Sequence, residues 1–380
     1  MNNSLLDSGQ AQFVESARRF VDAEIIPYAT AWDLAESYPQ ELFGKFAELG
    51  WLGIGVPDKY GGCGGNSLLY ALLCAELARG SAAIALGFYV HTALAISALV
   101  HLGDDEQCRR WLPDAVSGNK VGCWAYAEPN AGADVSSVTT RASRDGDEYV
   151  LNGTKMYITN SPFAHFMIVV ATTRPESGLK GMAVFVVDAD TAGVTVNTPL
   201  KKLGMGASEM AEIVFADCRI PAANRLGPEE GGFIRALKVL TLGRIASAAF
   251  GVGLGRAALQ EAQRYCSQRV QFGGALVKNQ FIRFTLADMA TRLEAAWQLT
   301  VHTAQLADAG HAHDQQASMA KLFATETCTW VCERALHLGG AQGYMRDSAS
   351  QRFYRDCKVL EIGEGTSEIQ RETIARHLGV

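Results

Sequence analysis

Glu364 lies in the run Tyr354-Arg-Asp-Cys-Lys-Val-Leu-Glu-Ile-Gly-Glu-Gly-Thr-Ser-Glu-Ile-Gln-Arg371, just before a stretch, Ser367 to Leu378, that reads as a helix. Ser367 and Gln370 have the spacing of a capping box, which starts that helix within a residue or two of Thr366. A carboxylate in such a loop can reach into a cleft and act on what is bound there. Gly365 leaves room for a substrate or cofactor to approach closely. The plainer alternative is that Glu364 only complements the helix dipole, an effect of a few tenths of a kcal/mol up to ~1.

The elements that must hold this loop follow from periodicity. Residues 1–120 read as an N-terminal α-helical domain, with Phe13, Ala17, Phe20 and Val21 at helix spacing and longer helices over 68–79 and 83–102. Between residues 121 and 230, β-rich runs begin at Tyr149, Met156, Phe166, Met182 and Glu212, separated by Gly, Asn, Asp and Pro. They predict a small antiparallel β domain, a barrel or sandwich. From 231 to 380 helices return, and Leu286, Met289, Ala290, Leu293, Ala296, Trp297 and Val301 form one apolar face, as a four-helix bundle requires. The expected class is α+β, ordered helical, β, helical, with Glu364 on the C-terminal bundle. Residues 309–314 read as a turn between bundle helices, with His311 and His313 solvated.

Two glycine clusters invite a phosphate-binding reading and fail it. Residues 56–65 are glycine-rich ahead of Asn66 and Ser67 but lack the Gly-Lys-Ser/Thr ending, so a structural turn is expected. Gly251-Val-Gly-Leu-Gly255 has no preceding strand and the wrong spacing for a dinucleotide fingerprint, so close helix packing is expected.

Composition bounds the function. The 380 residues, 48% hydrophobic and 19% charged, describe a well-buried globular chain of two or three domains. A net charge of −6 argues against nucleic acid as the main partner. No apolar run is read as reaching the ~18–20 residues of a membrane helix, so no membrane insertion is expected. The segment Met1-Asn-Asn-Ser-Leu-Leu-Asp7 lacks the basic and apolar regions of a signal peptide. Nine cysteines are scattered without a C-x-x-C pair. Cys328 and Cys332 fall one helical turn apart, yet no Cys/His pair completes a zinc site. The expectation is a cytoplasmic protein with buried thiols and no metal.

Four segments then form a set: Trp124-Ala-Tyr-Ala-Glu-Pro-Asn-Ala-Gly-Ala-Asp134, Met156-Tyr-Ile-Thr-Asn160, Arg269-Val-Gln-Phe-Gly273 with Asn279-Gln280, and the Glu364 run. In this order and at these intervals the chain resembles, over nearly its whole length, the acyl-CoA dehydrogenase family of flavoproteins. The resemblance implies FAD and oxidation of the Cα–Cβ bond of an acyl thioester. A carboxylate takes the α-proton while the β-hydrogen leaves as hydride to flavin N5. That chemistry needs a hydrogen-bonded thioester oxygen to stabilise the developing enolate, and a base in a water-poor cleft that raises its pKa. By resemblance Glu364 is the base, and its backbone N–H with a flavin hydroxyl holds the thioester oxygen. Some relatives place the base just before the arginine that matches Arg244; here that position is Gly243, which cannot serve.

The resemblance also implies cofactor contacts. Tyr126, Ala127, Gly132 and Ala133 match the loop facing the flavin and its pyrophosphate. Tyr157 and Thr159 match residues packed on the ring. Arg269, Gln271, Phe272 and Gln280 match an arm reaching the FAD of a neighbouring subunit, where a guanidinium suits pyrophosphate. Thr366 and Glu368 match residues beside the adenine half. In His337-Leu-Gly-Gly-Ala341, His337 takes the place of a usual glutamine, with Gly340 among its glycines, unless the register shifts by one.

Departures concern hydroxyls and the substrate. Ala127 and Ala133 stand where Ser or Thr is usual, removing two donors of ~0.5–1.5 kcal/mol each. Thr241 replaces an aspartate that contacts pantetheine near Arg244. Gly363 replaces a tyrosine beside the base, which with Gly365 opens space around the acyl group. Ala133 and Arg376 match positions on the substrate side, Arg376 near the CoA end. The expected substrate is therefore a short, branched or polar acyl group on CoA or on a carrier protein. An electron-transferring flavoprotein is the expected acceptor, and a homo-oligomer, dimer or tetramer, is expected because one FAD site draws on two subunits. A flavin oxidase or monooxygenase on the same fold is the competing reading; a retained base disfavours the monooxygenases.

Overall fold

Asp7 starts the fold with a capping box: its carboxylate accepts from the Gln10 N–H while the Gln10 amide oxygen accepts from the Asp7 N–H. The computed structural model describes residues 6–380; residues 1–5, and with them most of the segment read for a signal peptide, lie outside the described residues. The first helices are α1 (Ser8–Phe20), α2 (Ala29–Ala35), α3 (Glu41–Glu48), α4 (Ser67–Gly80), α5 (Ala82–Tyr89), α6 (Ser97–Leu102) and α7 (Asp105–Val116). Asn66 caps α4 by accepting from the Leu69 N–H. In the glycine-rich turn before it, a Cβ on Gly62 would overlap the Val56 carbonyl, so the turn is structural, as expected.

A π-helical segment, Val90–Ile96, joins α5 to α6 without a break. The resulting 21-residue span Ala82–Leu102 is long and apolar enough to cross a membrane, and so is Gly232–Gln268; this corrects the reading that no such run exists. His91, Thr92 and Ser97 interrupt the apolar pattern in the sequence. In the structure 83% of the apolar window of Ala82–Leu102 is buried inside the protein, which makes it a core helix. His91 is the polar pin of that core: its ring nitrogens meet Ala115 O and the Gly122 N–H, each at 3.0 Å, and burial pushes its pKa down to about 4.

The middle strands are β1 (Gly122–Ala125), β2 (Arg141–Asp145), β3 (Glu148–Thr159), β4 (Phe166–Thr172), β5 (Met182–Asp188), β6 (Val194–Val196), β7 (Met210–Pro221) and β8 (Arg225–Leu226). They make one eight-stranded sheet in the order β6-β7-β3-β2-β4-β5-β8, with β1 added beside β4. The sheet is not wholly antiparallel: β1 runs parallel to β4, with Gly122 opposite Phe166, and β2 touches β4 in parallel at Arg141. A loop and the β2–β3 hairpin separate β1 from β4, and so long a connection can return the chain in the same direction. The runs at Tyr149 and Met156 are one strand, β3, bulged against β7 between Leu151 and Gly153 and between Lys155 and Ile158.

The C-terminal part comprises α8 (Gly232–Gln268), a ribbon of β9 (Val270–Gln271) and β10 (Gly274–Ala275), α9 (Gln280–Asp308), α10 (Asp314–Tyr344), α11 (Ala349–Cys357), α12 (Val359–Ile362) and α13 (Ser367–Leu378). Residues 309–313 form the expected turn between α9 and α10. Helices α8, α9 and α10 pack on one another, α13 returns onto α10, and α4 lies across α8 and α9. A Cβ on Gly253 would overlap the Ala75 carbonyl of α4, and one on Gly251 would sit 2.8 Å from the Ala324 carbonyl of α10. The glycine spacing therefore serves helix contact, as expected. All nine cysteines are free, and eight of them are buried.

Candidate active site

The Glu364 loop is a strained turn held by side chains. Glu364 has φ 56° and Gly365 φ 83°. A non-glycine residue in the left-handed region costs on the order of 1–3 kcal/mol, so something must fix it. The Gln370 amide donates to the carbonyls of Glu364 and Gly365, each at 3.0 Å, and Lys321 Nζ donates to the Gly365 carbonyl at 2.7 Å. This corrects the capping-box reading: Thr366, not Ser367, caps α13 by accepting from the Ile369 N–H. Gln370 faces the loop carbonyls because the left-handed turn brings them towards it. The Glu364 N–H donates no hydrogen bond among the described residues.

The carboxyl group of Glu364 rests on α8. A Cβ added to Gly243 would lie 2.9 Å from Glu364 Oε2 and would overlap the hydroxyl of Tyr89. Burial raises the Glu364 pKa above the usual carboxylate value, and Tyr89, Lys321 and Arg244 pull it down without cancelling that rise. Burial likewise lowers Arg244 and takes Lys321 down to about 8. Arg244 reaches Ser318 Oγ at 3.5 Å. Thr241 is buried and donates to Asp314 Oδ1 at 2.8 Å. The carboxylate absent from position 241 thus arrives from the start of α10. Gly363 is exposed, and a Cβ there would meet only Val359 O, at 3.4 Å.

A second cluster shapes the loop after β1. Lys155 Nζ donates to Glu128 Oε1 at 2.8 Å and to the Tyr126 carbonyl at 3.0 Å. Glu128 also accepts from the backbone N–H groups of Thr139 and Thr140 and from the Thr139 hydroxyl. Burial alone would raise the Glu128 pKa, yet Lys155 and the threonine donors hold it down at about 2. The Tyr126 hydroxyl donates to the Gly132 carbonyl and its ring stacks on Phe233 at 5.7 Å. The Ala127 carbonyl accepts from the Met156 N–H, tying this loop to β3. Gly132 faces open space, and Ala133 is exposed beside it. Tyr157, at the second bulge of β3, has φ 63° and is 59% exposed; Thr159 pairs with Met210 at the end of the strand.

Other matched residues stand apart from the base. Arg269, Gln271, Phe272 and Gln280 are exposed, Phe272 fully, on and beside the β9–β10 ribbon. His337 is exposed on α10, and Gly340, at φ 55°, breaks the helical geometry there. Thr366 lies in the base loop, with Glu368 exposed two residues on, in the first turn of α13. Arg376 is exposed and paired with Glu372 at 2.8 Å. The residues that sequence reasoning missed are Tyr89, Lys321 and Asp314 at the base, and Glu128 with Lys155 in the β1 loop. Of these only Lys155 left a signal, a lysine between the two β-rich runs at Tyr149 and Met156. A cavity of about 310 Å³ lined by Tyr70, Thr92, Ile96, Val100 and Leu242, among others, includes none of the matched residues; Leu242, next to Gly243, and Tyr70, whose pKa burial raises with a smaller contribution from the Glu364 charge, lie between it and the base.

Three protein-family models match: acyl-CoA dehydrogenase N-terminal domain over residues 7–119, middle domain over 123–218 and C-terminal domain over 230–379. A probable acyl-CoA dehydrogenase of Bacillus subtilis (strain 168), YngJ, is 40% identical over 377 residues, 99% of each chain. The solved butyryl-CoA dehydrogenase of Megasphaera elsdenii superposes with a TM-score of 0.96 at 35% identity, covering 99% of both chains. The prolyl acyl carrier protein oxidase AnaB superposes with a TM-score of 0.94 at 32% identity, covering 98% of this chain and 100% of that one.

Proposed function

Because the chain belongs to the acyl-CoA dehydrogenase family of FAD-dependent oxidoreductases acting on CH–CH bonds, we propose that Glu364 is the base that removes the α-proton of an acyl thioester. One observation carries this reading. In a single strained turn, a carboxyl group with a burial-raised proton affinity adjoins a backbone N–H that has no acceptor among the described residues. A thioester oxygen placed on that N–H gains a hydrogen bond that strengthens as enolate charge develops. Lys321 and Gln370 keep the loop in register by holding its carbonyls. Arg244 and Lys321 supply positive charge that favours the ionised base.

The residues present fit FAD. The open side at Gly132, the outward ring of Tyr157 on a bulged strand and the helix start at Thr366 offer a flat face and donors. Tyr126, Ala127, Gly132, Ala133, Tyr157, Thr159, Thr366 and Glu368 would hold it. FAD, when bound, accepts the β-hydrogen with its electron pair. Arg269, Gln271, Phe272, Gln280, His337 and Gly340 would complete the site of a neighbouring copy, which makes the working unit a dimer or tetramer. An electron-transferring flavoprotein would be the acceptor that returns the site to its oxidised state. Glu364→Gln should bind FAD and remain yellow yet fail to bleach anaerobically with any acyl thioester; normal bleaching by this variant would refute the assignment.

The substrate reading rests on Gly363. Its missing side chain leaves open space beside the base, and the hydroxyls of Tyr70, Tyr89 and Thr92 lie nearby. A short, branched or polar acyl group suits this setting. In steady-state comparisons isobutyryl-CoA should outperform butyryl- and octanoyl-CoA, and a clear preference for either straight chain would overturn the reading. Asp314 restores a carboxylate beside Thr241, which favours a pantetheine arm. That arm is common to CoA and to carrier proteins. The likeness to AnaB keeps the carrier in view, and matched CoA and carrier-protein thioesters of one acyl group decide between them.

A further inference from the structure

Tyr89 closes the last turn of α5 with its ring edge-on to Phe250, 5.5 Å between centroids, and is wholly buried. Its hydroxyl has no hydrogen-bond partner among the described residues. A buried donor left unpaired is destabilising, and native structures contain few of them. The nearby acidic oxygen is Glu364 Oε2: this atom and the Tyr89 hydroxyl bear on the same α-carbon, that of Gly243, and a Cβ there would disturb both.

We propose that Tyr89 is a positioning residue for the base, its hydroxyl donating to the ionised Glu364 carboxylate and holding it over Gly243. The inference rests on the reading of Glu364 as the base. It also follows from where the other donors point. Tyr70, on α4, meets the Thr92 hydroxyl at 2.7 Å, and Thr92 already donates to the Phe88 carbonyl, so the Tyr70 proton must go to Thr92. Lys321, on α10, donates to the Gly365 carbonyl, and Arg244, on α8, reaches Ser318. Cys74 on α4 stands beside Tyr89, Asp314 near Arg244 and Glu361 near Lys321, and none of these offers the carboxylate a charged donor. Tyr89 is the neutral donor left with a free proton. Burial, with the Glu364 charge beside it, raises its own pKa, so it keeps that proton at working pH. With one oxygen held, the other is presented in a fixed direction, as a base aimed at carbon requires.

The sign is fixed: a donor to the ionised form lowers the pKa of the base, so removing it raises that pKa. The test is the rate of anaerobic flavin reduction in the Tyr89→Phe holoenzyme, measured from acid to alkaline pH with butyryl-CoA and isobutyryl-CoA. The acid limb should move up by about one pH unit, slowing reduction roughly tenfold below it. FAD content should not change, and the melting temperature should hold below the limb and fall modestly above it, where the ionised carboxylate has lost its donor. 3-Fluorotyrosine at position 89, a stronger donor on the same ring, should instead move the limb down. A hydroxyl that only packs would leave the limb where it is. An unmoved limb in Tyr89→Phe, beside an inactive Glu364→Gln, therefore overturns the Tyr89 proposal alone. Persisting reduction in Glu364→Gln removes the base reading beneath it. Should Tyr89→Phe fail to fold, the limb of the 3-fluorotyrosine protein decides, and an unmoved limb there overturns the proposal.

Discussion

The molecule contains two carboxylates that share burial and a nearby lysine, and they behave in opposite ways. Glu128 takes Lys155 directly at 2.8 Å and collects three further donors from Thr139 and Thr140. Glu364 has Lys321 close by, but that lysine is turned onto the Gly365 carbonyl instead. One carboxylate is held well below the usual range and the other is raised. Burial and neighbouring charge do not by themselves separate a structural acid from a reactive one. The direction of the donors does: they converge on Glu128, whereas Lys321 and Gln370 hold the backbone around Glu364 and leave the acid to the Tyr89 hydroxyl.

Four experiments press on that contrast. The largest effect belongs to Glu364→Gln, which should slow flavin reduction by at least about 10²–10⁴-fold, the range for a general base, in single-turnover mixing with acyl-CoA. Next is Glu128→Ala. It strands Lys155 in the core and should cost about 3–5 kcal/mol of stability, read as an earlier denaturant midpoint with loss of FAD. The two variants should differ in sign as well as size. A buried carboxylate whose folded pKa is raised contributes stability below its unfolded pKa, and that contribution is lost as pH rises through the folded value. Glu364→Gln should therefore be no less stable than wild type at pH 8; equal destabilisation of both variants would erase the distinction. Smaller still is Lys321→Met, which removes a favourable charge and one tether of the loop. It should raise the acid limb of the rate profile and slow reduction about tenfold below it. Last is the wild-type profile itself. Because the ionised base is the active form, activity should fall as pH drops through a pKa above the ordinary carboxylate value of 4.5. A limb at or below that value would show Glu364 to be as well served as Glu128.

Much of this was legible in the sequence because it is local. The Glu364 run, the Tyr126 loop and the Tyr157 segment are short contiguous pieces, and the helical–β–helical order follows from periodicity. What converges from distant elements was not legible. Tyr89 and Lys321 sit in apolar helices where a tyrosine or lysine reads as ordinary packing or solvation, and only the fold brings α5 and α10 to α8. Asp314 looked like part of a turn, yet it supplies the carboxylate missing at 241. The two runs of β3 looked separate because Lys155 interrupts the pattern between Thr154 and Met156, whereas the strand continues through it and bulges beyond. Ser367 was taken for the cap because capping-box spacing says nothing about a left-handed turn one residue earlier.

Gly251 and Gly253 have a consequence beyond close contact. Through them α8 meets the main chain of α10 on one side and of α4 on the other. These are the helices that bring Lys321 and Tyr70 towards the base. Their spacing is set by backbone touching backbone, with no intervening side chain able to compress or swing. The charges around Glu364 thus sit in something like a machined jig, whereas Gly363 lies outside it on a free edge. Changes at that edge should therefore leave the acidity of the base undisturbed.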